Sequence, residues 1–277
     1  MKLLRLGEGI RAVIGEPALL LSRRGEKALV VADLHIGWES SLADKGFHIP
    51  SQVGRMLEAL EELLNALDPD LLIFLGDLKH TVAGAEAEEW AEIPAFLRRL
   101  SSLVNDIRLI PGNHDGRIEL LLPEGVELLD SGGLALWGTF GLFHGHAWPD
   151  PGLLECRYLI SGHMHPVVVL REGPYFRTSS RVWLKIPLDG PGLAEEVLRR
   201  KGGRDLEPGR ARARELVVMP SFNEFLGGQA VNFPRRTDKN LIGPIMRSRN
   251  APLQEAEVLM LDGTFLGTVG MLREIGI

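Results

Sequence analysis

Two rhythms of apolar residues run through the first third of the chain. Residues 28–32 and 71–75 are short, unbroken apolar stretches, the pattern of strands buried on both faces, and residues 107–110 repeat it around one arginine. Between the first two lie residues 51–67. There Val53, Met56, Leu57, Leu60, Leu63, Leu64 and Leu67 recur at helical spacing, with Ser51 as the expected N-cap. Residues 85–100 predict a second helix, with Pro94 as the place where it kinks or breaks.

After Gly125 the texture changes to short strands, predicted at residues 134–137, 140–143, 158–160, 167–170 and 181–186. Residues 198–215 carry Arg199, Arg200, Lys201, Arg204, Arg210, Arg212 and Arg214 among glycines and a proline, and predict a flexible basic loop. Two last strands, residues 257–261 and 264–269, flank an Asp262-Gly263 hairpin turn. The order predicts a mixed α/β fold, built on one mixed sheet or on two sheets packed together with helices outside. No internal repeat or linker is visible. The expectation is a single domain over residues 1–277, with residues 190–277 as a C-terminal elaboration that holds the basic loop.

Polar clusters sit at the C-terminal ends of the apolar runs. They are Asp33-Leu34-His35, Gly76-Asp77, Gly112-Asn113-His114-Asp115, His144-Gly145-His146 and Gly162-His163-Met164-His165. Six of the eight histidines fall inside them, with His48 and His80 outside, so the grouping is not a matter of composition. In open α/β sheets, ligands bind outside the carboxyl ends of strands, where such loops converge. Imidazoles, carboxylates and an amide oxygen form a mixed donor set suited to manganese, iron, zinc or cobalt. So many donors exceed what one ion uses, whereas two ions sharing a carboxylate would accommodate them.

Bulk properties narrow the reading further. A chain with 45% hydrophobic and 25% charged residues is not disordered as a whole. A formal net charge of -6 gives no global attraction to nucleic acid, so any polyanion contact needs a local basic patch. The single cysteine, Cys156, excludes an intrachain disulfide and a cysteine-only metal cage, and it reads as a small buried hydrophobe. No run approaches the ~18 apolar residues of a membrane helix. Residues 1–11 lack the apolar centre of a signal peptide, so the cytoplasm is the expected compartment and no membrane partner is expected.

The series Asp-x-His, Gly-Asp, Gly-Asn-His-Asp, His-Gly-His and Gly-His-x-His, in order from Asp33 to His165, resembles the metallophosphoesterase (calcineurin-like) superfamily. Within it the chain is similar to archaeal phosphoesterases related to the SbcD and Mre11 nucleases. The resemblance implies a four-layer αββα sandwich and two divalent metal ions, with manganese expected and iron, zinc, cobalt or nickel as alternatives. It implies that Asp33, His35 and His165 hold the first ion, that Asp77 bridges, and that Asn113, His144 and His163 complete the second. His114 is then the catalytic histidine, oriented by Asp115, and the nucleophile is a metal-bridging hydroxide made by lowering the pKa of a bound water. His144 and His146 are exchangeable in this assignment. The family's second motif commonly ends in aspartate where this chain has His80, which is left facing either the ligands or the substrate.

The implied activity is hydrolysis of a phosphate ester, foremost by a phosphodiesterase acting on nucleotides or nucleic acid. Phosphomonoesterase or pyrophosphatase action on a small molecule is the alternative, and a non-catalytic scaffold on the same fold is a third. The basic residues of the loop, together with Arg235, Arg236, Lys239, Arg247 and Arg249, read as a solvated surface, with phosphate contact as the functional alternative. Trp38, Trp137, Trp148 and Trp183 read as packing residues. Trp38 and Trp148 lie beside motifs, where stacking on a substrate base is the alternative.

Overall fold

The computed structural model describes residues 1–43, 46–172, 176–201, 208–233 and 243–275. Contacts divide the chain into two units, Met1–Asp130 with Phe222–Phe225, and Ser131–Ser221 with Leu226–Ile277.

In the first unit, seven strands lie in chain order across one sheet: β1 (Leu3–Gly7), β2 (Ile10–Val13), β3 (Ala18–Arg23), β4 (Glu26–Val31), β5 (Leu71–Leu75), β6 (Asp106–Ile110) and β7 (Val126–Leu128). The pairs from β1 to β4 are antiparallel, and those from β4 to β7 are parallel. Helices α1 (Trp38–Ala43) and α2 (Val53–Leu67) lead from β4 to β5, and α3 (Ala87–Ser101) leads from β5 to β6.

Alternate strand residues point to one face. Leu29 and Val31, Leu72 and Phe74, and Ile107 and Leu109 cluster with Met56, Leu60, Leu63 and Leu64 of α2 and with Ile93, Phe96, Leu97 and Leu100 of α3. Burial of each such side chain contributes roughly 1.5–3 kcal/mol. On β4 and β5 the opposite set, including Val30 and Ile73, is fully buried as well, which is why residues 28–31 and 71–75 are apolar without alternation, whereas β6 turns half-buried Asp106 and Arg108 to that side.

Two expectations change here. The N-cap of α2 is Gln52, whose N–H is taken by Glu39 Oε1 at 2.6 Å, while Ser51 Oγ accepts from Val53 N at 3.3 Å. Pro94 sits inside α3 and does not break it, because the helix is held by its buried stripe on both sides of the missing donor.

In the second unit, the strands are β8 (Leu134–Leu136), β9 (Phe140–Leu142), β10 (Tyr158–Ser161), β11 (Pro166–Glu172), β12 (Phe176–Pro187), β13 (Glu215–Val218), β14 (Gln229–Ala230), β15 (Glu257–Met260) and β16 (Phe265–Thr268). They form a second sheet in the order β14-β11-β12-β13-β10-β9-β8, with β15 on β12 and β16 on β15. Within it β9, β10 and β13 run parallel. Helix α4 (Gly190–Lys201) follows β12, and α5 (Val269–Ile275) follows β16. Leu193, Ala194 and Val197 of α4 join Leu184, Ile186, Leu216 and Val218 in the core, as do Val269 and Leu272 of α5.

The basic stretch opens inside a helix. Arg199, Arg200 and Lys201 form the last turn of α4, where cations favour the negative end of the helix dipole. Further on, Arg212 N and Arg214 N donate to the carbonyls of Leu154 and Arg157 at 2.8 and 3.0 Å. Arg247 and Arg249 are exposed. Arg204, Arg235, Arg236 and Lys239 lie outside the described residues. Two sheets with helices make a mixed α/β fold.

Candidate active site

Every candidate residue of the first unit lies just beyond a parallel strand. Asp33 and His35 follow β4, Asp77 and His80 follow β5, and Asn113, His114 and Asp115 follow β6. The three exits are laced together by main-chain bonds. Asp33 N donates to Gly76 O at 3.1 Å, and His35 N donates to Asp77 O at 2.9 Å. Asp33, Asp77 and His35 are buried, at 0%, 2% and 4% exposure. His35 Nε2 lies 3.4 Å from Asp77 Oδ2, and His35 Nδ1 lies 3.2 Å from His80 Nδ1. His35, His80 and His114 offer ligand atoms within 4.8 Å of one another. His80, left open by its motif, thus belongs to this cluster, whereas Asn113 is exposed.

His114 is held at three points. Its N–H donates to Asp77 Oδ1 at 2.8 Å, its carbonyl accepts from the Lys79 ammonium, and its Nδ1 meets the carbonyl of His80. A carbonyl only accepts, so Nδ1 carries the hydrogen and Nε2 is the atom left to exchange a proton. The imidazole Nδ1 is therefore held by a carbonyl. Asp115 accepts main-chain N–H groups, from Lys79 to Oδ1 at 3.2 Å and from Gly112 to Oδ2 at 2.8 Å. Gly112 has no room for a side chain: a Cβ there would overlap Asp77 Oδ1 and lie 2.5 Å from Asp77 N.

Three residues of this region escaped the sequence reading. Lys79 is fully buried, and burial pushes its ammonium below the ordinary lysine range while Glu89, Asp115 and Asp77 pull it back. Glu89, also fully buried on α3, accepts from His80 N at 2.9 Å and Thr81 N at 2.7 Å through Oε1, and from Glu86 N at 2.8 Å through Oε2. Asn223 donates its amide to Leu34 O at 3.0 Å, and Phe222 N donates to Ala32 O at 2.8 Å, so a distant segment braces the Asp33–His35 turn.

In the second unit His144 and His146 follow β9, and His163 and His165 follow β10. The rings of His144 and His163 are 4.9 Å apart, His144 and His146 are 5.2 Å apart, and His146 and His163 are 6.1 Å apart. His144 is fully buried. His165 Nδ1 lies 3.3 Å from Gly227 O. Trp183 is fully buried and Trp148 packs against the core of this unit, while Trp137 meets Phe140 edge-on at 6.0 Å. Cys156 is buried at 1% exposure.

Backbone strain concentrates on these loops. Among the described residues nine non-glycine residues have positive φ, and five are candidate ligands: Asp33 (58°), His35 (47°), Asp77 (51°), His163 (66°) and His165 (46°). Each left-handed residue costs on the order of 1–2 kcal/mol, and such residues persist where function demands the geometry.

Buried carboxylates and imidazoles on strained strand exits are the groundwork of a phosphate-ester hydrolase with a metal-binding site. The sequence profile of the calcineurin-like phosphoesterases matches residues 27–186, more than half of the chain, and the protein belongs to that family. A solved structure of the Pseudomonas putida nuclease MPE has the same fold, with a TM-score of 0.53 at 20% identity over 94% of this chain and 96% of that one. The E. coli phosphoesterase Yfce aligns more loosely, with a TM-score of 0.34 at 21% identity over 53% of this chain and 74% of that one. No curated protein matches the chain in sequence. Among the described residues no helix is long and apolar enough to cross a membrane.

Proposed function

We propose that the protein is a two-metal phosphodiesterase acting on nucleotides or nucleic acid. The observation that carries this reading is the left-handed backbone at five candidate ligands, each at a strand exit, because stability alone favours glycine at such positions. The donors fit hard to borderline divalent cations: Asp33 and Asp77 are buried carboxylates, His35 and His144 are buried imidazoles, and no thiolate is among them. In this reading Asp33, His35 and His165 hold one ion, Asp77 bridges, and Asn113, His144 and His163 hold the other. His144 is preferred to His146 because it is the more buried and the nearer to His163. Bound divalent ions supply Lewis-acid stabilisation of phosphate charge and acidify coordinated water, with manganese the first to try.

The chain's own part in the chemistry falls to His114. With Nδ1 donating to His80 O, Nε2 is the nitrogen left to donate a hydrogen bond or a proton to the phosphate or leaving oxygen. Such assistance is worth typically ~10²–10⁴-fold. A nucleotide substrate is favoured by Trp38, whose main-chain N–H donates to His35 O at 3.1 Å and whose ring stacks on half-exposed Phe225 at 6.3 Å. That aromatic pair sits one helical turn from a candidate ligand and offers a face to a base. The fold shared with a nuclease makes nucleic acid the first polymer to test.

The deciding experiment compares bis(p-nitrophenyl) phosphate with p-nitrophenyl phosphate in manganese, with His114→Ala as control. Diester turnover that falls at least ~10²-fold in the variant, while two equivalents of metal remain bound, is the expected result. Turnover of the monoester alone selects the phosphomonoesterase reading. No turnover of either ester by protein holding two metals overturns the phosphodiesterase proposal in favour of a narrow natural substrate or a scaffold.

A further inference from the structure

Beneath the His114 loop lies a charged group that the reaction does not use directly. Lys79 is one of the largest fully buried side chains, at 0% exposure. Desolvating an ammonium costs several kcal/mol, and a methionine of similar volume would fill the space without that cost. The ammonium is answered by two carbonyls, those of Thr81 and His114, and by the charges of Glu89, Asp115 and Asp77. One cation therefore ties the loop after β5 to the loop after β6.

The surrounding bonds give this tie a direction. Lys79 N donates to Asp115 Oδ1, and Asp115 Oδ2 holds Gly112 N, so the ends of the His114 turn are fixed on either side of the histidine. Glu89 holds the N–H groups of His80 and Thr81, which fixes the carbonyl that receives His114 Nδ1. The N–H of His114 is taken by Asp77 and its carbonyl by Lys79. With both main-chain groups and Nδ1 engaged, Lys79 holds one of the three points that fix the ring, and its ammonium joins that point to the Thr81 carbonyl.

We propose that Lys79 is the positioning residue of His114, setting the direction of its Nε2 by joining the His114 and Thr81 carbonyls. The proposal rests on the reading of His114 as the proton-handling residue. A misplacement of about 1 Å can cost ~10²-fold in rate without altering how substrate is held.

The test is a double-mutant cycle on the manganese-loaded full chain, with kcat, KM and metal content measured on bis(p-nitrophenyl) phosphate. Lys79→Met is expected to lower kcat ~10²-fold with KM and metal content unchanged. Lys79→Gln, which retains a donor for one carbonyl, is expected to lose roughly tenfold and carries the test alone should the methionine variant not fold. In a His114→Ala background both substitutions should change kcat by less than about twofold, because the group they position is gone. Equal losses in the two backgrounds, or loss of metal from the Lys79 variants, would make Lys79 structural and overturn the proposal. Unchanged kcat in folded Lys79→Met would do the same. Full activity of His114→Ala itself would sink the reading of His114 and the proposal with it, whereas an inactive His114→Ala beside an unaffected Lys79→Met sinks the proposal alone.

Discussion

In the first unit buried side chains add to the main-chain bonds that hold the loops after β5 and β6, whereas in the second the loops after β9 and β10 are approached closely by backbone at glycines. Asp77, Glu89 and Asp115 each accept main-chain N–H groups, and Lys79 collects two carbonyls. Around the histidines of the second unit, Gly162 N donates to His144 O at 3.0 Å and Gln229 N donates to His165 O at 2.9 Å. Glycines close the remaining distance: a Cβ at Gly243 would overlap Gly145 O, and one at Gly228 would overlap His165 O. Both devices hold residues at positive φ on the exits of parallel strands. They differ in what breaks them. A carboxylate brace responds to a change of charge at constant shape, and a glycine contact responds to a single methyl group.

The largest effect should come from a change of charge in the first unit. Asp77→Asn keeps the shape and an acceptor for His114 N, yet it removes the carboxylate proposed to bridge two ions. Turnover is expected to fall more than ~10²-fold, with metal content dropping at both positions, since even supporting residues of a metal site are worth 10–100-fold in affinity. Two bound metals in that variant would refute the bridging role. Next in size are the methyl insertions. Gly112→Ala must displace Asp77, and Gly228→Ala must displace the His165 carbonyl, so each should destabilise the fold by about 1–3 kcal/mol or more in denaturant melts. The two should separate in metal titration. Gly112→Ala disturbs a donor side chain directly, while Gly228→Ala presses on the His165 carbonyl and the Val167 side chain, neither of which is a proposed donor. Equal metal affinities in the two variants would remove the distinction between the braces.

How much of this could be read from the sequence follows from the same physics. Strands β4 and β5 are buried on both faces, so they stand out as apolar runs, β6 shows a shorter run around Arg108, and the polar exits of all three announce Asp33, Asp77 and His114. Strands β1 and β2 are interrupted by Arg5 and Arg11, and tight turns separate them, so no run of theirs is long enough to register. Helix α4 has its buried stripe at Leu193, Ala194 and Val197, but it opens with Gly190-Pro191-Gly192, which reads as a loop. The last strand turns into α5 at Val269, two patterns fused without a breaker between them. Glu89, Lys79 and Asn223 left no trace because their partners are main-chain groups, which every residue possesses. Their positions become meaningful only once the chain has folded.

The smallest expected effect isolates the value of those main-chain partners. Two of the three carboxylates of helix α3, Glu89 and Glu92, lie one turn apart. Glu89 is fully buried and accepts three N–H groups; Glu92 is half-buried and has only the Ser51 hydroxyl to offset its burial. Burial is the main cause that raises the Glu92 carboxyl above its ordinary value of 4.5, with Glu39 and Glu88 adding to it. A raised folded-state value means that the native protein binds this proton more tightly than the unfolded chain does. The penalty is absent below about 4.5, grows as pH rises through the folded value, and is complete at neutral pH. Glu92→Gln should therefore stabilise the protein at pH 7 by about 0.5 kcal/mol or less, after allowance for solvent screening, and should give no gain at pH 4. Urea melts at the two pH values measure this directly. A gain at pH 4 equal to that at pH 7 would show that the carboxyl's burial is not what the substitution relieves, and that Glu92 does not differ from Glu89 in the way its lack of N–H partners implies.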